Sequence, residues 1–107
     1  MGVYKLSNKA EIDLTGMYDF GISKYGLLQS QNYFLGMHET FKILAKNIDL
    51  GRDASEFIED LKRFSYKAHT IFYMITLNRI FIIRVLSQRM DYEYNLNTQQ
   101  VRVNYSL

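Results

Sequence analysis

Cysteine and proline are both absent from the 107 residues. Without cysteine there is no disulfide framework, no thiolate nucleophile and no cysteine-bound zinc, so the fold rests on packing. Long apolar runs are missing as well. The longest, IFYMI and IFII, fall far short of the roughly 18 residues that span a bilayer, and the N-terminal stretch MGVYKLSNKAEIDL lacks the apolar core of a signal peptide. A cytoplasmic protein that makes no membrane contact is the expectation. Met-Gly at the start is the beginning of a myristoylation signal, but Leu6 stands where that signal needs Ser or Thr.

Histidine is scarce, with two in the chain. His38-Glu39 begins like the zinc motif H-E-x-x-H, but Lys42 occupies the second ligand position, so no metal site is expected. Gly16, Gly21 and Gly26 recur inside or at the end of a helical pattern rather than after a strand, which excludes a phosphate loop. Glu59 and Asp60 are adjacent in sequence and are expected to be solvated; no cofactor is implied.

What is present suits one globular domain. Nearly half of the residues are hydrophobic (48%) and 22% are charged, in a length that supports a single core. Ser7 is placed to cap a helix over 8–25, with Glu11 and Asp13 set against its positive end. Ala10, Leu14, Met17, Tyr18, Gly21 and Tyr25 form its apolar stripe, on which Gly21 would let a second helix approach closely. Gly26 supplies a left-handed cap, and a second helix over 28–47 carries Tyr33, Met37, Phe41, Leu44 and Ile48 on one face. Residues 48–60 lack periodicity and read as a long, mobile connection.

From residue 61 the chain is dense in β-branched and aromatic residues, and strands are expected at 61–66, 69–76 and 80–87, with Leu77-Asn78 in a turn. A first strand at 3–6 completes an α+β domain: an N-terminal strand, an antiparallel helix hairpin, then three antiparallel strands in one mainly antiparallel sheet, one face of which packs on the helices. Of Phe72 and Tyr73, one faces the helices and the other the open side. The domain is expected over residues 1–94, followed by a tail over 95–107 whose VRVNY alternation suits an added edge strand.

Negative charge is missing from one long span. Residues 61–90 hold Lys62, Arg63, Lys67, Arg79, Arg84 and Arg89 and no Asp or Glu, whereas the remainder has seven basic and eleven acidic residues. Strand lysines and arginines ordinarily protect sheet edges and solvate an open face. Six without a counter-charge describe a basic platform for an acidic partner, such as nucleic acid, a nucleic-acid enzyme or an acidic protein segment.

Several motifs recur in an order that resembles the ParE toxins of the RelE/ParE toxin-antitoxin superfamily, along residues 4–93. YKLSNKAEIDL is similar to the family's first strand entering its first helix, while Tyr25-Gly26 and LAKNIDLGR resemble its helix boundaries. LKRFSYKAHTIFYMI resembles its second and third strands, through Arg63-Phe64 and the run His69 to Tyr73, and RVLSQRMDYE resembles its Arg-Val-Leu strand followed by Arg-Met-Asp. Ile48 and Ser65 stand where the family often has proline, and Ser87 where it often has histidine, departures that touch loop stiffness and target detail more than the sheet.

The resemblance implies a toxin without chemistry of its own, which binds DNA gyrase and holds it in a cleavage-prone state until a ParD-like antitoxin neutralises it. A toxin dimer or a toxin-antitoxin hetero-oligomer is compatible with it. The residues expected to meet target or antitoxin are Arg63, Lys67, His69, Arg84, Arg89 and Asp91, with Arg84 and Arg89 brought by a turn to one edge of the open face. For Arg84 the simpler alternative is an internal pair with an acid such as Asp91. The competing reading is a RelE-like ribonuclease cutting messenger RNA on the ribosome, with Lys67, His69, Arg84 and Arg89 as cations and Tyr92 or Tyr94 as proton donor. Met90 stands where such nucleases carry a further basic residue, and His69, at a strand start, suits a hydrogen-bonded structural role.

Overall fold

One residue separates the first strand from the first helix. Ser7 accepts from the Ala10 N–H at 2.9 Å as the helix cap, donates its hydroxyl to the Ile83 carbonyl at 2.7 Å, and donates its own N–H to the Ile82 carbonyl at 2.9 Å. The computed structural model describes residues 3–96. Its elements are β1 (Tyr4–Leu6), α1 (Asn8–Tyr25), α2 (Leu27–Lys46), β2 (Arg52–Asp53), β3 (Lys62–Tyr66), β4 (His69–Thr76), β5 (Arg79–Ser87) and α3 (Tyr92–Asn95). The sheet runs β1-β5-β4-β3-β2, with β1 parallel to β5 and the other pairs antiparallel.

The expected α+β architecture is therefore present, helix hairpin included. Gly26 alone links α1 to α2, at φ 94° and ψ 163°; the φ is positive, as expected, but the ψ is extended rather than left-handed helical. Gly21 sits against Ser30, whose side chain would collide with any Cβ there and whose hydroxyl donates to the Tyr18 carbonyl at 2.7 Å. The close helix approach read from the sequence is made at this point.

Ala10, Leu14, Met37, Phe41 and Leu44 pack on Ile71, Tyr73, Ile80, Ile82 and Val85. Full burial of each large side chain contributes roughly 2 kcal/mol. The other sheet face is not simply open. Ala54, Leu61, Phe72, Ile83, Leu86 and Leu96 form a second cluster, with Phe57, Ile58 and Tyr92 at its margin. Tyr73 thus faces the helices and Phe72 the second layer.

That layer corrects the reading of 48–60 as a mobile connection. The Tyr73 hydroxyl accepts from the Gly51 N–H at 2.9 Å and donates to the Ile48 carbonyl at 3.0 Å, while Ala54 and Leu61 are completely buried. The segment contains β2 and covers part of the second face. Its apolar residues are spaced irregularly, which is why no periodicity announced it. Beyond Leu96 the tail, with its expected edge strand, lies outside the described residues.

Candidate interaction surface

At the β4–β5 ladder, Phe72 is opposite Arg84 and Tyr73 is opposite Ile82, so Ile83 is an extra, bulged residue. Beyond the end of β1, α1 takes over the β5 edge. Asp13 accepts from the Val85 N–H at 2.9 Å and from Arg84 through Nε at 2.8 Å and Nη2 at 2.9 Å. The third donor, Arg84 Nη1, reaches the Asn95 carbonyl at 2.6 Å. Arg84 is 7% exposed. It therefore does not stand at an exposed edge beside Arg89, and its internal partner is Asp13 of α1, not Asp91.

Asp91 caps α3 instead, accepting from the Tyr94 N–H at 3.1 Å. Arg89 lies between β5 and α3 and is exposed, its backbone N–H donating to the Ser87 hydroxyl at 3.2 Å. Met90 and Tyr94 beside it are 49% and 79% exposed. Short-range hydrogen bonds fix this corner, which presents a cation, an apolar side chain and a ring to solvent.

Lys67 and His69 belong to a second corner, at the β3–β4 turn. Tyr66 pairs with His69, so Lys67 and Ala68 are the central turn residues, with Lys67 at φ 50°. That conformation costs a side chain with a Cβ about 1 kcal/mol or more. The Lys67 ammonium lies 5.8 Å and 5.4 Å from the ring centres of Tyr33 and Tyr66. His69 Nδ1 is 2.8 Å from the Tyr33 hydroxyl, which also receives the Ala68 N–H at 3.2 Å. Burial pushes the His69 pKa below its ordinary value, with the Asp13 carboxylate acting in the opposite sense. A neutral ring follows near neutral pH, and its tautomer sets whether Nδ1 or the Tyr33 hydroxyl donates in that bond.

Arg63 is half-buried on β3, paired with Glu56 at 3.2 Å and lying 6.0 Å from the centre of the Phe57 ring. The basic span is thus partly compensated from outside itself, Arg84 by Asp13 and Arg63 by Glu56. The six candidate residues do not form one cluster: Arg89 and Asp91 share the α3 corner, Lys67 and His69 the hairpin corner, Arg63 lies on β3, and Arg84 is internal. Three residues were not anticipated: Asp13, Tyr33, and Arg52, which stands directly opposite Arg63 in the β2–β3 ladder.

Among the described residues no helix is long and apolar enough to cross a membrane, and no group of three or more His, Cys, Asp or Glu side chains converges as a metal site.

Residues 4–92 match the family model described as the ParE toxin of the type II toxin-antitoxin system parDE. Toxin ParE1 of Mycobacterium tuberculosis (strain H37Rv) is 32% identical over 94 residues, which is 87% of this chain and 96% of that protein. Toxin ParE1 of Caulobacter vibrioides is 28% identical over 91 residues, covering 85% and 94%. A solved structure titled as the chromosomal ParDE TA system from P. aeruginosa superposes with a TM-score of 0.71 at 18% identity, over 81% of this chain and 96% of that one, a likeness of fold. With its strand, helix hairpin and mainly antiparallel sheet, the chain belongs to the ParE toxin family of type II toxin-antitoxin systems.

Proposed function

We propose that the chain arrests growth by binding DNA gyrase and holding it in a cleavage-prone state, without catalysing a reaction itself, and that a ParD-like antitoxin neutralises it in the cytoplasm. The observation that carries this reading, beside membership of the family, is the engagement of Arg84. A ribonuclease would need a cation free to meet the developing charge on phosphorus. Arg84 is buried and held by Asp13 through two of its nitrogens. His69, another candidate of that mechanism, has its Nδ1 occupied by Tyr33. Two of the four cations named for a nuclease are thus engaged internally, which favours a binding protein over a nuclease.

The exposed cations Lys67 and Arg89, on turns joined by the Gln88 N–H to Ala68 carbonyl bond at 2.9 Å, are the proposed contacts for the target, with His69 beside the first, Asp91 beside the second and Arg63 apart on β3. The antitoxin is expected to cover exposed apolar residues of the helix hairpin, among them Ile12, Leu28 and Leu35 at 66%, 72% and 62% exposure, and to lay acidic side chains along the basic turns. A segment that orders as it binds would do this. In the test, the chain is induced in growing bacteria while gyrase-linked DNA breaks and messenger RNA integrity are followed together. Breaks with intact messenger RNA are expected; ribosome-dependent messenger RNA cleavage without breaks would overturn the proposal.

A further inference from the structure

Arg52 and Arg63 are register partners across β2 and β3, the position at which like charges repel most directly in a sheet. Both line a cleft of ≈ 560 Å³ on the second face, beside the covering layer, together with Thr70, Gln88 and Tyr92. Two guanidinium groups in one concavity are electrostatically unfavourable unless an anion joins them. The only anion paired with either among the described residues is Glu56, on Arg63, and its side chain is 53% exposed. Asp53, next to Arg52, instead accepts from the Ser55 hydroxyl at 2.7 Å. Arg52 itself is exposed and has no ion-pair partner among the described residues.

The cleft also has a spare neutral donor. The hydroxyls of Thr70 and Tyr92 are 2.8 Å apart, and whichever donates, the other keeps its own hydrogen for a third group. We infer that this cleft is a phosphate-binding site, in which Arg52 and Arg63 clamp one phosphate group of an oligonucleotide backbone or a nucleotide. The donor count favours phosphate over carboxylate. Each guanidinium fork engages two oxygens, so two forks and a hydroxyl suit a phosphorus centre carrying four oxygens, a backbone diester with one charge or a terminal phosphate with two, whereas one fork satisfies a carboxylate. Glu56 then acts as a weak stand-in, displaced when the ligand arrives, since exposed ion pairs hold little free energy. This inference does not depend on gyrase being the target; it is read in direct binding to the purified full chain.

The test is fluorescence anisotropy of a labelled ten-residue oligothymidylate at low salt, with ATP, inorganic pyrophosphate and a poly-glutamate of similar length as competitors. Arg52→Gln and Arg63→Gln are each expected to weaken binding on the order of tenfold and to make it less salt-dependent by roughly 0.7 in the log-log slope. Glu56→Gln should tighten it, because a competitor for Arg63 has gone. Pyrophosphate should displace the oligonucleotide from wild type. ATP competing phosphate for phosphate would identify a free nucleotide as the natural source; far weaker competition by ATP would identify the backbone, and either outcome supports the site. Unchanged affinity in folded Arg52→Gln, or no tightening in Glu56→Gln, would overturn it by assigning the binding to diffuse positive charge. Poly-glutamate outcompeting the oligonucleotide in wild type but not in Arg52→Gln would overturn the phosphate assignment in favour of an acidic protein segment.

Discussion

Asp13 and Arg84, 71 residues apart in sequence, meet in a two-bond ion pair at 2.8 Å and 2.9 Å, with side chains 11% and 9% exposed. The same Asp13 satisfies the Val85 N–H on the β5 edge, and the same Arg84 holds the Asn95 carbonyl at the end of α3. This pair joins α1, β5 and α3.

Removing either partner leaves a buried charge unpaired, which costs about 3 kcal/mol or more. Arg84→Ala and Asp13→Ala should each lower the unfolding free energy from urea titration by that amount, and the double variant should lose far less than the two losses added together. Independent, additive losses would mean that the pair is not a coupled unit. Toxicity of the single variants should fall only as folded protein is lost.

The sequence made most of the architecture legible and little of this pair. Apolar residues at 10, 14 and 17, and at 37, 41 and 44, announced both helices and their inner faces, and the β-branched density after residue 61 announced three strands. On its own helix Asp13 suits a partner of the helix dipole. It lies three residues after Ala10 and four before Met17, on the buried side, and an acid there signals a buried cation. Which cation could not be read, because the partner depends on a bulge at Ile83 that turns Arg84 toward α1, and a one-residue irregularity has no periodic signature. The same spacing logic makes Tyr33 a core residue. Its hydroxyl, needing a partner once buried, was the available sign that it also supports His69.

Lys67 separates folding from function at the hairpin corner. Glycine at φ 50° relieves strain of about 1 kcal/mol, while the lost contact between the ammonium and the two rings costs about 0.5 kcal/mol at an exposed site. Lys67→Gly should therefore leave the thermal midpoint nearly unchanged or slightly raised. Gyrase poisoning and antitoxin affinity should both weaken, the latter less so at high salt. Full activity in the glycine variant would remove Lys67 from the proposed surface.

Stability should depend on pH through the two histidines. Burial lowers the pKa of His38, reinforced by Lys42, and lowers that of His69 against the opposing effect of Asp13; the ordinary value is 6.5 for both. Because the folded state binds these protons less readily than the unfolded state, their contribution is complete above about pH 6.5 and is lost as pH falls from there toward the lowered values. Urea midpoints at pH 7.5, 6.5 and 5.5 should decline in that order, and the His38→Gln, His69→Gln double variant should show a flatter profile. A wild-type profile that rises toward pH 5.5 would contradict the neutral assignment of both rings.

If the proposed contact with gyrase runs through exposed cations, Arg89 is foremost among them. The most direct measurement is the amount of cleaved DNA formed by purified gyrase with ATP as toxin is titrated in, comparing wild type with Arg89→Ala. Arg89 is exposed, and the hydrogen bond it makes to Ser87 comes from its backbone, so the variant should keep the wild-type stability within about 0.5 kcal/mol. The account predicts that wild type inhibits supercoiling and raises cleaved DNA, and that folded Arg89→Ala does neither at the same concentrations. Wild-type protein that leaves gyrase unaffected at every concentration would contradict the account.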